Sequence, residues 1–407
     1  MMIQNTRATL AINAANKYCK NLDKIKFIGI TGTNGKSTTA IILKSILSDC
    51  GYKVGLIGTG KIMFENQILS DENYSMTTPS PEVLFSAIGK MEEAGVEIIV
   101  MEVSSHALDQ ERVFPIDFHI GIFTNLSPEH LDYHKNLDNY FEAKSKLFKK
   151  SKHKIINIDD SYGKILFEST PDAEACAIEM EAENKVKNIK DFGFDGMRFE
   201  YHSQKNSFEV DMKLPGKYNA YNALLAIKAA EILGVTGGKI KESLKKIASI
   251  DGRFNIIDSK IKVIIDYAHT SSAFLILLKN LYSYKIPGQN LIVVFGCGGN
   301  RDKAKRAVMG EAAEKYADTV ILTSDNPRDE NPESIIEDIA RGMESSPIKI
   351  TDREMAIREA IAIAGEGDIV CIVGKGPERY TIINGVYSPF DEKAIIISAL
   401  RERGLCE

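Results

Sequence analysis

The sequence lacks most of the features that would set it apart from an ordinary globular chain. Its six cysteines lie far apart at Cys19, Cys50, Cys176, Cys297, Cys371 and Cys406, with no C-x-x-C pair among them. That scatter excludes a disulfide-stapled mini-domain and a structural zinc site, and it suits reduced thiols in a cytoplasm. No stretch approaches the ~20 consecutive apolar residues of a membrane span. The first residues, Met1-Met2-Ile3-Gln4-Asn5-Thr6-Arg7, carry no apolar signal-peptide core. An excess of positive charge is missing too. The formal net charge is −5, which offers no basic face to a nucleic acid. Internal repeats and low-complexity segments are absent. The expectation is a cytoplasmic protein with neither membrane nor nucleic-acid partners.

What is present is a globular composition, 44% apolar and 26% charged over 407 residues, with room for two or three domains. One stretch organises it. The apolar run Phe27-Ile28-Gly29-Ile30 reads as a buried parallel strand. It breaks into Thr31-Gly32-Thr33-Asn34-Gly35, and Lys36-Ser37-Thr38-Thr39 then opens a helix through Ala40, Ile41, Leu43 and Leu47. A strand, a glycine loop and a helix N-terminus form a cradle for phosphate, because loop N–H groups wrap the anion and the helix end adds partial positive charge. Lys36 can reach terminal phosphates, and the hydroxyl of Ser37 or Thr38 can ligate Mg²⁺. The pattern is G-x-x-G-K-S; Ile30 stands where the longer P-loop motif has its first glycine. A nucleoside triphosphate with Mg²⁺ is the expected ligand.

Residues 8–22 read as an amphipathic helix with Leu10, Ala14, Ala15 and Tyr18 on one face. Further strands are expected at 53–57, 97–103, 120–125 and 154–158, with a helix at 81–94, an alternation that argues for a doubly wound parallel sheet. Ligands of such sheets bind beyond the carboxyl ends of the strands. One strand ends in Glu102-Val103-Ser104-Ser105-His106, and the next leads into Thr124-Asn125-Leu126-Ser127-Pro128-Glu129-His130-Leu131-Asp132-Tyr133-His134. Glu102 is either a Mg²⁺ ligand facing the phosphate loop or a surface residue. His106, His130 and His134 are either functional or satisfied polar residues at helix ends. Residues 170–213 suggest a small antiparallel sheet on the flank. A helix follows at 220–233, with Asn219 and Asn222 either capping it or reading a base edge.

Around Asp251-Gly252-Arg253 the pattern restarts, with strands at 262–266, 291–295, 319–323 and 369–373. Each runs into a polar cluster: Asp266 to His269, Gly296 to Asp302, Ser324 to Arg328, and Gly374 to Glu378. The fold class is therefore α/β. A linker helix (1–24) precedes a central P-loop ATPase domain with a parallel sheet (25–250), and a smaller Rossmann-like α/β C-terminal domain follows (251–407). Strand tips of two such domains describe a cleft that closes over a nucleotide and a second substrate.

In order and spacing the motifs resemble those of the Mur ligase family, the ATP-dependent amide-forming enzymes of peptidoglycan assembly. The likeness covers nearly all the chain. It rests on Gly32 to Ser37, Thr77-Thr78-Pro79, Glu102 to His106, Thr124 to Asp132, Ala143-Lys144, Gly252-Arg253, Asp266 to His269, Gly296 to Gly299, Asp325 to Arg328 and Gly374-Lys375-Gly376. The resemblance is to the members that add a diamino acid to UDP-N-acetylmuramoyl-L-alanyl-D-glutamate. It implies that Gly32, Thr33, Asn34, Gly35, Lys36, Ser37 and Thr38 hold the ATP phosphates, and that Ser37, Glu102 and His130 are Mg²⁺ ligands. Lys144 matches the lysine that the family carbamylates with CO₂, which turns a cation into a carboxylate-like ligand; the alternative is a solvated helix lysine like Lys146 or Lys149. Asn219 and Asn222 match the adenine contacts, and Arg253 and Asp266 the residues that reach the nucleotide from the second domain. Thr77, Thr78, Ser104 and Ser105 match contacts to the peptidyl acceptor.

Arg301, Asp325, Asn326, Arg328, Gly374 and Glu378 match the surroundings of the added amino acid. Asp325-Asn326-Pro327-Arg328 resembles the motif of meso-diaminopimelate-adding members. A guanidinium at Arg328 can clamp a distal carboxylate, which lysine lacks, and Glu378 suits the distal ammonium; the alternative is that Asn326-Pro327-Arg328 forms only a turn. The implied reaction passes through an acyl phosphate and relies on positioning and charge neutralisation. Two residues depart from the pattern: Pro377 replaces the histidine of Gly-Lys-Gly-His-Glu, and Ser271 the proline after Asp-Tyr-Ala-His-Thr. Family members also carry a small N-terminal domain that grips the substrate's UDP, and this sequence begins at the linker helix. The expectation is that this domain is absent. That leaves open a UDP-linked dipeptide or a non-UDP carboxylate or peptide as acceptor. A monomer acting on small molecules is expected.

Overall fold

The computed structural model describes residues 6–70, 74 and 76–406; residues 1–5 of the expected linker segment lie outside them. The chain divides into two compact units, Met1–Ala248 and Ser249–Glu407.

Among the described residues, the first unit is built on an eleven-stranded sheet. Its strands are β1 (Lys26–Thr31), β2 (Val54–Gly58), β3 (Lys61–Phe64), β4 (Gln67–Ile68), β5 (Ile98–Glu102), β6 (Phe118–Phe123), β7 (Ser151–Asn157), β8 (Ala173–Ala177), β9 (Asn184–Asp191), β10 (Met197–His202) and β11 (Ser207–Met212). They lie in the order β11-β10-β9-β8-β7-β6-β1-β5-β2-β3-β4. From β2 through β5, β1, β6, β7 and β8 to β9 every pairing is parallel. β1, β2 and β5 are buried along their whole length except at Lys26, so they read as continuous apolar runs rather than alternations.

The flank differs from expectation. Residues 170–213 do not form a separate antiparallel sheet: β8 and β9 continue the main sheet in parallel, and only β10 and β11 reverse. Ala175, Cys176 and Ala177 are buried as a short central strand, while β10 alternates, with Met197, Phe199 and Tyr201 inward. The polar outward residues of β9 to β11 carry the antiparallel signal; the long-range pairing of β8 with β7 leaves none in the local sequence.

The first helix also differs. It spans Thr6–Tyr18 rather than 8–22 and buries Ala8, Ala11, Ala14 and Ala15, while Leu10 is 60% exposed. It packs on the helix Pro81–Glu93. A side chain at Gly89 would overlap the carbonyl of Tyr18, so the contact is backbone-close and a small-residue face wins over a bulky one. The Glu92 carboxylate accepts from the N–H groups of Lys20 (2.8 Å) and Asn21 (2.6 Å) and takes up the chain where the helix stops.

The second unit holds a six-stranded sheet of β12 (Asn255–Asp258), β13 (Lys262–Asp266), β14 (Leu291–Phe295), β15 (Thr319–Leu322), β16 (Ile348–Lys349) and β17 (Ile369–Val373), ordered β12-β13-β17-β14-β15-β16. All pairings are parallel except that of β12 with β13. A hairpin, β18 (Tyr380–Ile383) and β19 (Val386–Pro389), follows β17. The polar clusters at Asp266, Gly296, Ser324 and Gly374 begin at the carboxyl ends of β13, β14, β15 and β17.

Candidate active site

In the first unit β1 lies between β5 and β6, where the strand order turns from one side to the other. The loop leaving β1 is bound to the loop leaving β6. Thr33 N donates to Asn125 O at 2.8 Å and Asn34 N to Asn125 Oδ1 at 2.9 Å. Asn34 O accepts from Thr124 Oγ1 at 2.6 Å and from Asn125 Nδ2 at 3.1 Å. Gly35 has φ +86° at the start of the helix Lys36–Asp49, and a side chain there would overlap Asn222 Oδ1; one at Gly32 (φ +145°) would overlap Thr124. Both positions need glycine. Lys36 folds back, donating to Gly32 O at 2.9 Å and Thr33 O at 2.8 Å. Ser37 is half-buried and Thr38 buried at the helix start.

A second ammonium meets the same loop. Lys144, on the helix Leu137–Lys149, is 1% exposed. Its Nζ donates to Gly32 O at 2.8 Å and sits 4.4 Å from the centroid of the Tyr140 ring. It is not a solvated helix lysine; Lys146, on the same helix, is outside and pairs with Asp109 at 3.1 Å. Burial, with the charge of Lys36 added, holds the Lys144 pKa well below that of a free lysine. Tyr140 is in turn part of an aromatic group. His134 lies 5.1 Å from Tyr140, His106 lies 5.3 Å from His134, and His130 lies 4.8 Å from His106, centroid to centroid. His134 Nε2 and Ser105 Oγ share a hydrogen bond of 2.9 Å. His130 has a left-handed backbone (φ +57°) ahead of the short helix Leu131–His134.

Glu102 is not a surface residue: it is 3% exposed at the end of β5 and opposite Ile30. Its carboxylate accepts from Thr59 N at 2.9 Å and Thr59 Oγ1 at 3.3 Å, and Thr59 Oγ1 is 3.0 Å from Thr77 Oγ1. Thr78 Oγ1 donates to Glu102 O at 2.9 Å and accepts from Ser104 N at 2.9 Å, while Ser104 Oγ accepts from Ala107 N at 3.2 Å. The structure thus brings Thr77, Thr78 and Ser104 together around Glu102. Ser105 is bonded instead to His134, at the aromatic group. Arg112, which sequence reasoning passed over, donates to Thr78 O at 2.8 Å.

Neither Asn219 nor Asn222 caps its helix. Gly216 holds the cap position of Lys217–Ile232, and both asparagines are buried within the helix. Asn219 Nδ2 donates to Pro215 O (2.7 Å), Asn222 Nδ2 to Asn219 Oδ1 (3.1 Å), and Thr39 Oγ1 to Asn222 Oδ1 (3.3 Å). Asn222 stands against Gly35, and Asn219, in the first turn, reaches back to the carbonyl of Pro215 ahead of the helix.

Among the described residues no three His, Cys, Asp or Glu side chains group as metal ligands. The buried carboxylate of Glu102 and the half-buried hydroxyl of Ser37 are oxygen donors, the kind that a hard cation takes together with waters and substrate phosphates.

In the second unit the Arg253 guanidinium lies 4.5 Å from the Tyr267 ring centroid. Asp266 accepts from Phe254 N at 2.6 Å and Ala268 N at 2.8 Å; burial raises its pKa and Arg253 opposes the shift. Asn326 is the hub of the other cluster. Its Nδ2 donates to Glu378 Oε2 at 2.8 Å, its Oδ1 accepts from the buried Lys375 at 2.8 Å and from Ile382 N at 3.0 Å, and its carbonyl accepts from Arg328 Nη1 at 3.4 Å. Tyr267 OH donates to Glu378 Oε1 at 3.2 Å, and Lys375 Nζ is 3.6 Å from Asp325 Oδ1. Gly374 (φ +122°) lies so that a Cβ would stand 3.4 Å from Asp325 Oδ2. Arg328 has φ +52° and its Nη1 donates to Gly299 O at 2.9 Å. A Cβ at Gly298 would lie 2.9 Å from Arg328 Nη1 and 3.8 Å from Arg301 Cγ, so both arginines run past this glycine. The segment Asn326–Arg328 is a turn and more: its backbone is bridged to Ile383 and its side chains converge on one place. Pro377 packs on Gly252, whose φ is +66° and whose Cβ would overlap it.

Thr59 and Tyr140 were not singled out in the sequence, and Asn125, Lys375 and Tyr267 stood there only inside motifs, with no role of their own. Thr59 follows a strand tip, and that placement alone could have flagged it; Tyr140 sits one helical turn before Lys144.

A phosphate loop at the switch point of a parallel sheet, followed in the chain by a second α/β unit, defines a nucleotide-using α/β enzyme. Residues 30–230 match the Mur ligase middle domain, and residues 252–376 match the Mur ligase glutamate ligase domain. The UDP-N-acetylmuramoyl-L-alanyl-D-glutamate–2,6-diaminopimelate ligase of Aquifex aeolicus is 42% identical over 402 residues, covering 97% of this chain and 82% of that protein. Ligase 1 of that name from Clostridium acetobutylicum is 40% identical over 407 residues, covering 98% and 83%. A solved structure of a ligase of that name aligns with TM-score 0.68 at 32% identity, covering 99% of this chain and 84% of that one. The Mycobacterium tuberculosis folylpolyglutamate synthase complexed with ADP and AMPPCP shares the fold, with TM-score 0.74 at 16% identity, over 91% and 92% of the chains. The chain belongs to the Mur ligase family and is a ligase; members of that family use ATP.

Proposed function

We propose that this ligase joins meso-2,6-diaminopimelate to the D-glutamyl carboxylate of UDP-N-acetylmuramoyl-L-alanyl-D-glutamate, with cleavage of ATP to ADP and phosphate. The relatives of that name support the reading, and one geometric observation carries it. Asn326 holds a guanidinium through its carbonyl and a carboxyl group through its side chain, Arg328 and Glu378. Diaminopimelate presents the complementary pair at its far end, a carboxylate and an ammonium, whereas lysine presents only the ammonium.

In this reading the acceptor carboxylate, placed by Thr77, Thr78, Ser104 and Ser105, attacks the γ-phosphorus. An O–P bond forms and ADP leaves. The diaminopimelate amine then attacks the acyl carbon, phosphate leaves and the nitrogen sheds a proton. Lys36 and the N–H groups at the start of the helix Lys36–Asp49 neutralise charge gathering on the phosphoryl oxygens, while the N–H groups of Thr33 and Asn34 hold the phosphate loop Gly32–Thr38 to Asn125. Asn219 and Asn222 hold the adenine, and Arg253 and Asp266 also serve the nucleotide. Ser37, Glu102, His130 and a carbamylated Lys144 would hold Mg²⁺, which would supply further neutralisation of phosphate charge. Carbamylation needs a neutral amine, which attacks CO₂, forms the N–C bond and releases one proton; the lowered pKa of Lys144 favours that form. We also place the protein in the cytoplasm, as a monomer without nucleic-acid partners. Six scattered cysteines with no C-x-x-C pair fit a reducing compartment, and no helix of the described residues is long and apolar enough to cross a membrane.

The test is phosphate release with ATP, Mg²⁺ and the UDP-linked dipeptide, comparing meso-diaminopimelate with L-lysine. Turnover with diaminopimelate and not with lysine is expected. Silence with both amino acids would overturn this acceptor and direct the search to carboxylates without UDP.

A pH dependence follows. Burial, and next the charge of Asp325, push the Glu378 pKa up to about 7. Below that pH Glu378 is neutral and pairs poorly with an ammonium; above it the carboxylate forms. kcat/KM for diaminopimelate should therefore rise between about pH 6 and 8, and Glu378→Gln should flatten that limb while lowering kcat/KM. A profile unchanged by Glu378→Gln would remove Glu378 from the site. The same shift has a cost for the fold: the neutral form is the one the folded state favours, so this group's contribution to stability is lost as pH rises from about 4.5 towards 7 and above.

A further inference from the structure

The two arginines at Gly298 sit on separate loops, and a buried ion group ties those loops together. Arg306, on the helix Ala304–Tyr316, is 1% exposed. Its Nη1 and Nη2 donate to Glu330 Oε2 and Oε1, each at 3.0 Å, in the two-pronged geometry that fixes orientation as well as distance. Nη1 also donates to Asp338 Oδ2 at 2.8 Å, on the helix Pro332–Ala340. Glu330 comes two residues after Arg328. Beyond Arg306, its Oε1 accepts from Asn300 N at 2.6 Å and its Oε2 lies 3.2 Å from Lys303 Nζ. Asn300, one residue before Arg301, has φ +52° and also donates through Nδ2 to Asp329 Oδ2 at 2.9 Å. Gly299 N donates to Asn326 O at 2.9 Å, and a side chain at Gly299 would overlap Pro327 O.

The carboxylate of Glu330 is therefore the joint. One oxygen grips the backbone beside Arg301, and both oxygens grip an arginine anchored in a helix. The hydrogen bonds from Arg306 hold the Glu330 pKa down at about 2, so the joint is charged at any working pH.

We propose that Glu330, oriented by Arg306, is a positioning residue that sets Arg301 and Arg328 for the distal carboxylate of the incoming amino acid. The assignment rests on the diaminopimelate reading above. It makes the preference for a carboxylate-bearing amino acid depend on a residue that does not touch it.

The test is steady-state kinetics of the full chain with Glu330→Gln, Arg306→Lys and Asp338→Asn, each checked for folding by thermal melting. Glu330→Gln keeps the shape and removes the charge. It should raise KM for diaminopimelate by roughly tenfold or more, since a misplacement of about 1 Å at a binding group can cost up to ~10²-fold. kcat at saturation and KM for ATP should stay within about twofold of wild type. Arg306→Lys keeps a cation but not the fork, so its KM should fall between the two; if Glu330→Gln does not fold, Arg306→Lys carries the expectation. Asp338→Asn loosens Arg306 on the side away from the joint and should leave KM for diaminopimelate near wild type.

An equal rise in KM for ATP and diaminopimelate, or a rise in Asp338→Asn as large as in Glu330→Gln, would show only a structural support and overturn the proposal. Arg328→Ala separates the two levels. If it raises KM for diaminopimelate while Glu330→Gln does not, the joint is wrong and the substrate reading stands. If Arg328→Ala changes nothing, the substrate reading itself falls.

Discussion

Lys144→Ala is expected to lower kcat by about 10²–10³-fold, the scale seen when one pre-organised group facing developing charge is removed. An amine taken out of water and set 2.8 Å from a carbonyl and over a ring is an expensive side chain to keep, the more so with Lys36 on the same carbonyl. A core that needed only volume there would use methionine or leucine. Lys144→Met therefore divides chemistry from packing. It fills the space, so a loss caused by a cavity should be recovered by methionine, whereas a loss caused by the missing amine should persist. Removing the buried amine should also leave the melting temperature of Lys144→Met at or above that of wild type. Low turnover with undiminished stability is the expected combination. Wild-type rates in both variants would remove Lys144 from the mechanism.

The phosphate loop could be read from the adjacent residues Phe27 to Thr39 because everything that defines it is local: an apolar strand, glycines where the backbone turns positive, and a lysine followed by hydroxyls at a helix start. Lys144 could not be read that way. Its helix also carries Lys146 and Lys149, and periodicity alone does not say which of the three lies under Gly32; only the likeness to a family pointed at it. Glu102 was legible as a strand-tip carboxylate, but its partner Thr59 lies 43 positions earlier on the exit of β2 and is visible only once β2 pairs with β5. The same limit explains the flank. Parallel pairing of β8 with β7 leaves no hairpin turn in the sequence, so the eleven-stranded sheet of the described residues looks, locally, like a shorter sheet with a satellite. Leu10 failed for a different reason. Apolar character suggests a buried face, but a helix that approaches another at Gly89 selects for alanine, and the leucine is left outside.

The second large effect belongs to Arg328. Alanine there should raise KM for diaminopimelate with little change in KM for ATP. The loss should correspond to about 2–5 kcal/mol, the range for truncating one partner of a buried, hydrogen-bonded charge pair, or roughly 30- to 4,000-fold. The backbone complicates the test, because Arg328 has φ +52°, and a non-glycine residue there carries strain whatever its side chain. Arginine bears that strain while its Nη1 is bonded to Gly299 O at 2.9 Å and its N–H to Ile382 O at 3.0 Å. Alanine keeps the backbone bond and loses the first, so some loosening of the turn is expected in any variant. Arg328→Lys serves as the control. It has the same strain and the same charge but a single-point ammonium in place of the planar fork. If the fork grips a carboxylate by two bonds, lysine at 328 should recover only part of the loss. If Arg328 merely braces Gly299, lysine should recover most of it, and the two variants should weaken ATP and diaminopimelate alike.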